Sequence, residues 1–243
     1  MVNDLIALLG RYDPGYPATI RGASMERIAH FADLVGREPP PRYMEFLRKM
    51  GSSMGNLELP SVSFDLDALI ESLESEEWRP PPRYVLVAME LKDPYFDYYL
   101  DLDSPSDDDF WVVRFETGGN AVFEGRVHPS YHSLRAMLFS LGFLYKRLKP
   151  MPVRTTLMIS LTRQQGSNAP QTEQFEALKQ VALKLGFERL AHTGPSCLLL
   201  DREDAAIYAH HPPRGGLIVE VASTSEAGLS KVTEVLRDNT LLV

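Results

Sequence analysis

Between Arg83 and Glu116 the chain reads RYVLVAMELKDPYFDYYLDLDSPSDDDFWVVRFE, and this stretch constrains its fold more than any other. Tyr84–Met89 is a continuous apolar run of strand length. Tyr98–Leu102 alternates, with Tyr98, Leu100 and Leu102 predicted on one face and Tyr99 and Asp101 on the other. Phe110–Phe115 is aromatic and β-branched, the residue types that fit a pleated surface. The spacing therefore predicts three strands. Their connections, Lys92-Asp-Pro and Ser104 through Asp109, are built from turn-forming Pro and Asp and crowded with carboxylates.

Helical patterns surround these strands. Ser24 is a natural N-cap for a helix burying Ile28, Phe31, Ala32 and Val35, closed by Gly36. Pro39-Pro40-Pro41 bars helix until its last residue, which suits a first helical position, and Tyr43, Phe46, Leu47 and Met50 follow as an apolar stripe up to Gly51. Leu57–Phe64, broken by Pro60, suggests edge strand or loop. Asp65 caps a helix with Leu66, Leu69, Ile70 and Leu73 inward, whose end is strongly acidic from Glu71 to Glu77. A further strand is expected at Ala121–Phe123 and a closing helix from Ser130 to Leu148. Helices, then a sheet, then a helix make an α+β pattern.

The strands YVLVA, YYLDLD and WVV, with the acidic turn between the last two, resemble the SUKH superfamily. The segment Pro39–Gly51, with its aromatic, its Phe-Leu pair and its terminal glycine, is similar to a second motif of that family. His30-Phe-Ala-Asp33 stands where the family carries a glutamate. The resemblance spans residues 20–148. It implies helices packed on a mainly antiparallel sheet, and a protein that acts by binding: bacterial members neutralise toxins, and a fungal member regulates cell-wall synthesis.

Charge points the same way. The net charge is −8, and residues 58–116 hold 16 acidic against 4 basic side chains. Such a field disfavours nucleic acid and anionic lipid and steers a basic partner. A solvated acidic surface that aids solubility is the competing explanation. The candidate partner-binding residues are the carboxylates Glu74, Glu76, Glu77, Asp93, Asp97, Asp101, Asp103, Asp107, Asp108 and Asp109, with Tyr99 and Trp111 as aromatic anchors. They are expected largely on one side of the first domain. No stretch has the length of a membrane span, the first twenty residues include Asp4 and Asp13 without a basic leader, and Cys197 is the single cysteine. These features predict a cytoplasmic protein without a disulfide framework.

Lys149-Pro-Met-Pro152 reads as a joint, giving domains 1–150 and 151–243. Beyond it come a strand at Thr155–Thr162, a polar loop, a helix at Thr172–Leu185, and strands at Phe187–Ala191, Cys197–Leu200, Ala206–Ala209 and Leu217–Ala222. A helix at Ser225–Arg237 and a terminal Leu-Leu-Val complete an α/β sandwich of ferredoxin-like type. Cys197, His192, His210, His211, Asp201 and Asp204 could be drawn as a thiol–imidazole–carboxylate set, but Cys197 opens an apolar run where a cysteine is usually a buried hydrophobe. No Cys-x-x-Cys, His-x-x-x-His or phosphate-binding glycine pattern occurs, and Asp107–Asp109 lacks the glycine and closing glutamate of a calcium loop. The expectation is therefore no catalysis, no metal and no cofactor. An enzyme in the second half and a regulatory scaffold remain the alternatives.

Overall fold

A computed structural model describes residues 1–75, 79–93, 96–107, 109–115, 127–159, 171–192, 194–212 and 216–243. The chain is α+β, with two separate five-stranded antiparallel sheets. It divides into two compact units, Met1–Leu138 and Phe139–Val243. The division thus falls inside a helix, ahead of the proline-rich joint at 149–152.

In the first unit, α1 (Val2–Tyr12), α2 (Met25–Val35) and α3 (Pro41–Met50) precede β1 (Val62–Ser63) and α4 (Leu66–Ser75). Local chemistry sets these boundaries. Ser24 accepts the Arg27 amide at 3.2 Å, and Gly36 closes α2 at φ 72°, a left-handed position that glycine occupies without strain. Pro41 opens α3, whose Tyr43, Phe46, Leu47 and Met50 are all buried. Asp65 caps α4 through the amides of Asp67 and Ala68, at 2.9 and 3.3 Å.

The sheet that follows runs β1-β2-β3-β4-β5, with β2 Tyr84–Glu90, β3 Tyr98–Ser106, β4 Asp109–Arg114 and β5 His128–Tyr131. Tyr98 to Leu100 are all buried, so β3 is covered on both faces rather than alternating inward and outward. Tyr99 stacks on Phe115 at 4.3 Å between ring centres. The Ser104–Asp109 connection is much tighter than a polar loop. Pro105 pairs with Phe110 and Ser106 with Asp109, so the two strands stay paired up to Asp107. Asp107 has φ 54°, the left-handed conformation tight hairpins require and aspartate tolerates.

The closing helix, α5 (Leu134–Phe143, continuing as one π-helical segment to Leu148), starts later than Ser130 because His128–Tyr131 is strand. Ser133 then accepts the Ala136 amide at 3.0 Å as the cap. The expected strand at 121–123 lies outside the described residues.

The second unit carries β6 (Val153–Met158), α6 (Gln171–Lys184), β7 (Glu188–Arg189), β8 (Cys197–Arg202), β9 (Ala205–His210), β10 (Ile218–Ser223) and α7 (Glu226–Asn239). Its sheet order is β6-β10-β9-β8-β7. The two helices bracket four strands, a departure from the β-α-β-β-α-β order. Leu157, Leu198, Leu200, Ile207, Val219 and Val221 share a face with Phe175, Leu178, Val232 and Leu236 of the helices. The opposite face receives the helical segment after Phe139. Ser140 donates to Cys197 Sγ at 3.1 Å, Arg147 Nε to Asp201 at 2.8 Å and Lys149 Nζ to Glu220 at 2.7 Å. These contacts explain why that segment belongs to the second unit.

Candidate partner-binding surface

The carboxylates expected on one acidic face separate into two kinds. Asp97, Asp101 and Asp109 are only 4–5% exposed, and each serves the sheet. Asp97 accepts the Glu90 amide at 2.9 Å, closing the turn between β2 and β3. Asp101 takes Arg83 through Nε and Nη2, at 3.0 and 2.8 Å. The same carboxylate accepts the Asp103 amide at 3.2 Å and the Ser104 hydroxyl at 2.9 Å. Between Asp101 and Pro105 the register slips, so residues 102–104 bulge from β3, and Asp101 pins that bulge from within. The bidentate pair also holds the Arg83 guanidinium more firmly protonated than usual, through its bond to Asp101.

Asp109 turns inward at the start of β4. Its two oxygens accept the amides of Phe110 at 2.9 Å and Arg135 at 3.0 Å, the latter in the first turn of α5. Burial pushes its pKa above the usual carboxylate range, against the lowering effect of these amides and of Arg42. With Asp109 engaged this way, Asp107 and Asp109 do not present a shared outward cation site. Tyr99 is buried too, at 3% exposure, and cannot serve as a surface anchor.

The outward carboxylates are Glu74, Asp93, Asp103 and Asp107. Glu74 meets His30 Nε2 across the α2–α4 surface at 2.7 Å. Asp103 projects from the bulge, 66% exposed and 3.4 Å from Arg83 Nε. These residues do not form one belt. Successive turns of an antiparallel meander fall at opposite ends of the strands, so Asp93 lies at the far end of the sheet from Asp103 and Asp107. Arg37 donates to the Pro82 carbonyl at 2.7 Å, tying the end of α2 to the end of the sheet where β2 begins. Trp111 is half-buried and stacks on His132 at 5.1 Å. Glu76, Glu77 and Asp108 lie outside the described residues.

Two arginines that sequence reasoning passed over organise this region. Besides Arg83, Arg114 donates to the Phe96 carbonyl at 2.9 Å, lies 4.7 Å over the Tyr98 ring and reaches buried Glu90 at 3.5 Å. The available signal was that Arg83 and Arg114, with Lys92, are the three cations within the acidic stretch 83–116.

In the second unit, Cys197 is 1% exposed, and its neighbours are the Ser140 and Ser196 hydroxyls at 3.1 and 3.8 Å. Burial raises its thiol pKa to about 11, which suppresses the reactive thiolate. Of the histidines drawn with it, His210 lies opposite Cys197 in the β8–β9 pairing and stacks on Tyr208, while His192 stacks on Phe139 and His211 bonds the Pro212 carbonyl. Asp201 pairs with Arg147, whose Nη2 also reaches the carbonyls of Arg202 and Glu203 at 2.6 and 3.1 Å. Asp204 pairs twice with Arg202, and that bond lowers its pKa. These carboxylates fasten the β8–β9 turn. Among the described residues no group of three or more His, Cys, Asp or Glu is placed to hold a metal, and no helix is long and apolar enough to cross a membrane.

No protein-family model matches the chain, and no curated protein matches it either.

Proposed function

We propose that this is an immunity-type protein that binds a basic toxin domain, a nuclease being the best electrostatic fit, and neutralises it in the cytoplasm by occlusion. The observation that carries the reading is the exposure of Asp103 and Asp107 beside a pinned bulge and a tight turn. Rigid presentation reduces the ordering cost of association, and exposed charge raises its rate. Half-buried Trp111 on the adjoining strand offers aromatic area to the same partner. The resemblance to SUKH immunity proteins supports the same reading. Binding alone suffices for such a role, and neither nucleic acid nor membrane is required as a partner.

Co-expression with a candidate basic nuclease toxin, sought first among the neighbouring genes, tests it. Protection of the host by the wild type, reduced in an Asp103→Asn/Asp107→Asn variant, is the expected result. Asparagine tolerates the left-handed turn position, so this variant removes charge without unmaking the hairpin. Equal protection by wild type and variant would reject the surface. Capture of a signalling protein with no effect on toxicity would replace immunity by a scaffold role.

A further inference from the structure

A hollow of about 250 Å³ opens on the first unit, at the far side of β1 from the rest of the sheet. Leu57, Leu59, Val62, Phe64 and Leu91 line it, with Asp65 at the rim. Its volume falls below the ~300 Å³ at which small-molecule sites begin, and suits inserted side chains better than a cofactor. One wall is fixed in advance. Ser53 accepts the Arg21 amide through its carbonyl and the Gly55 amide through its hydroxyl, each at 3.0 Å. Gly55 has φ 67°, and a Cβ there would lie 2.1 Å from Thr19 Oγ1, so only glycine fits.

The other wall is a sheet edge with a backbone pair that no described residue takes up. Val62 lies opposite Glu90 and Ser63 opposite Met89, while the Leu91 amide donates to the Ser61 carbonyl at 2.8 Å. The Glu90 amide points away from β1, to Asp97. Antiparallel pairing alternates, so Ser61 and Ser63 face β2 and the N–H and C=O of Val62 face the free edge. Val62 is 5% exposed, and no described residue supplies a partner to either group. Buried backbone groups are ordinarily paired. Beside this edge Leu91 stands 53% exposed. Glu58, Asp93 and the cation Lys92 are exposed nearby in sequence, and one oxygen of Asp65 is already committed to the first turn of α4.

We propose that this hollow receives an extended segment of a protein partner, which adds to β1 through the Val62 backbone and inserts an aliphatic side chain flanked by lysine or arginine. Edge addition gives affinity through the main chain and selectivity through the pocket beneath alternate side chains. With Glu58, Asp65 and Asp93 against Lys92, the charge near this edge is net negative and favours the basic flank. The inference rests on the reading of this chain as a binder of a basic protein, yet it concerns a different surface from Asp103 and Asp107.

The probe is the peptide acetyl-Thr-Lys-Leu-Lys-Thr-amide added to the isotope-labelled full chain. Saturable shifts at Val62 and Leu91 are expected, with exchange of the Val62 amide slowed about tenfold or more as it gains a partner. Leu91→Ser, at an exposed position that leaves the core intact, should weaken the peptide about tenfold, and N-methylation of the peptide leucine should weaken it at least as much. Asp103→Asn/Asp107→Asn should leave peptide binding unchanged. Absence of a saturable shift at Val62 with millimolar peptide overturns the proposal, as does equal binding by the N-methylated peptide. Loss of toxin protection in the double Asn variant with no peptide effect at Val62 would remove the hollow alone. Val62 protection with an inert double Asn variant would retain the hollow and remove the toxin reading.

Discussion

The two sheets solve the same problem by different means. In the second unit, β6, β8, β9 and β10 pair through six consecutive positions each without a slip, over a core of leucine, valine, isoleucine and alanine. In the first, every interface among β2 to β5 contains a register shift; buried Asp101 pins the one between β3 and β4, and buried Glu90, Asp97 and Asp109 fasten strand ends and turns. Charge follows the same division. The first unit has 23 acidic and 13 basic residues, the second 10 and 12. A regular apolar sheet has little reason to depart from its ladder. A bulged one needs internal polar fasteners, and each fastener is a carboxylate withdrawn from the surface. Counting acids in a sequence therefore overstates the acidic surface wherever strands are irregular.

The comparison predicts unequal sensitivities. Truncating the regular core should cost most: Ile207→Ala or Leu200→Ala, each fully buried, should destabilise by about 2–5 kcal/mol in chemical denaturation. A loss below 1 kcal/mol would mean that core is less tightly packed than its pairing implies.

Next comes the fastener of the bulge. Asp101→Ala should cost about 2–3 kcal/mol, because it strands Arg83 and frees the Asp103 amide and Ser104 hydroxyl together. Arg83 is about one-third exposed, so water recovers part of that loss. Equal costs for Asp101→Ala and Asp103→Ala would erase the distinction between inward and outward carboxylates.

Asp109→Ala should cost about 1 kcal/mol by stranding the Arg135 amide in the first turn of α5, whereas Asp109→Asn keeps an acceptor and should be milder. Its pH dependence has a definite sign. The folded pKa is raised above the unfolded value, so the folded state binds the proton more tightly. Wild-type stability relative to Asp109→Asn should then rise as pH falls through the folded pKa, and level off below the unfolded value near ~3.9. A wild type that loses ground to the Asn variant on acidification would contradict burial as the dominant influence.

A chemical probe separates the units without mutation. Cys197, with its pKa raised to about 11, should resist thiol reagents at pH 8 in the native protein and react at once in denaturant. Rapid native labelling would show that the second sheet opens there.

Much of this architecture was legible in the sequence because local chemistry decides it. Ser24, Gly36, Pro41 and Asp65 mark helix ends through groups they carry themselves, and the apolar stripes of α2, α3 and α4 follow helical spacing. The tight pairing of Ser106 with Asp109 was hidden, since Ser104-Pro-Ser reads as turn until Phe110 and Asp109 arrive across the strand. The inward carboxylates were hidden for the same reason. Nothing local distinguishes Asp101 from Asp103; Arg83, eighteen positions earlier, does. Likewise the Lys149–Pro152 joint looks like a boundary until Ser140, Arg147 and Lys149 find partners in the second sheet. Long-range partners chose the roles that composition left open.

The division of carboxylates is tested most directly by association kinetics with the proposed toxin partner, measured at low and physiological salt. Asp103→Asn/Asp107→Asn should leave stability within about 0.5 kcal/mol of wild type, as surface substitutions do. It should slow association at low salt and reduce its salt dependence, with little change in dissociation. An unchanged association rate and salt slope in that folded variant would contradict the account, and the outward carboxylates would then be a solvated surface.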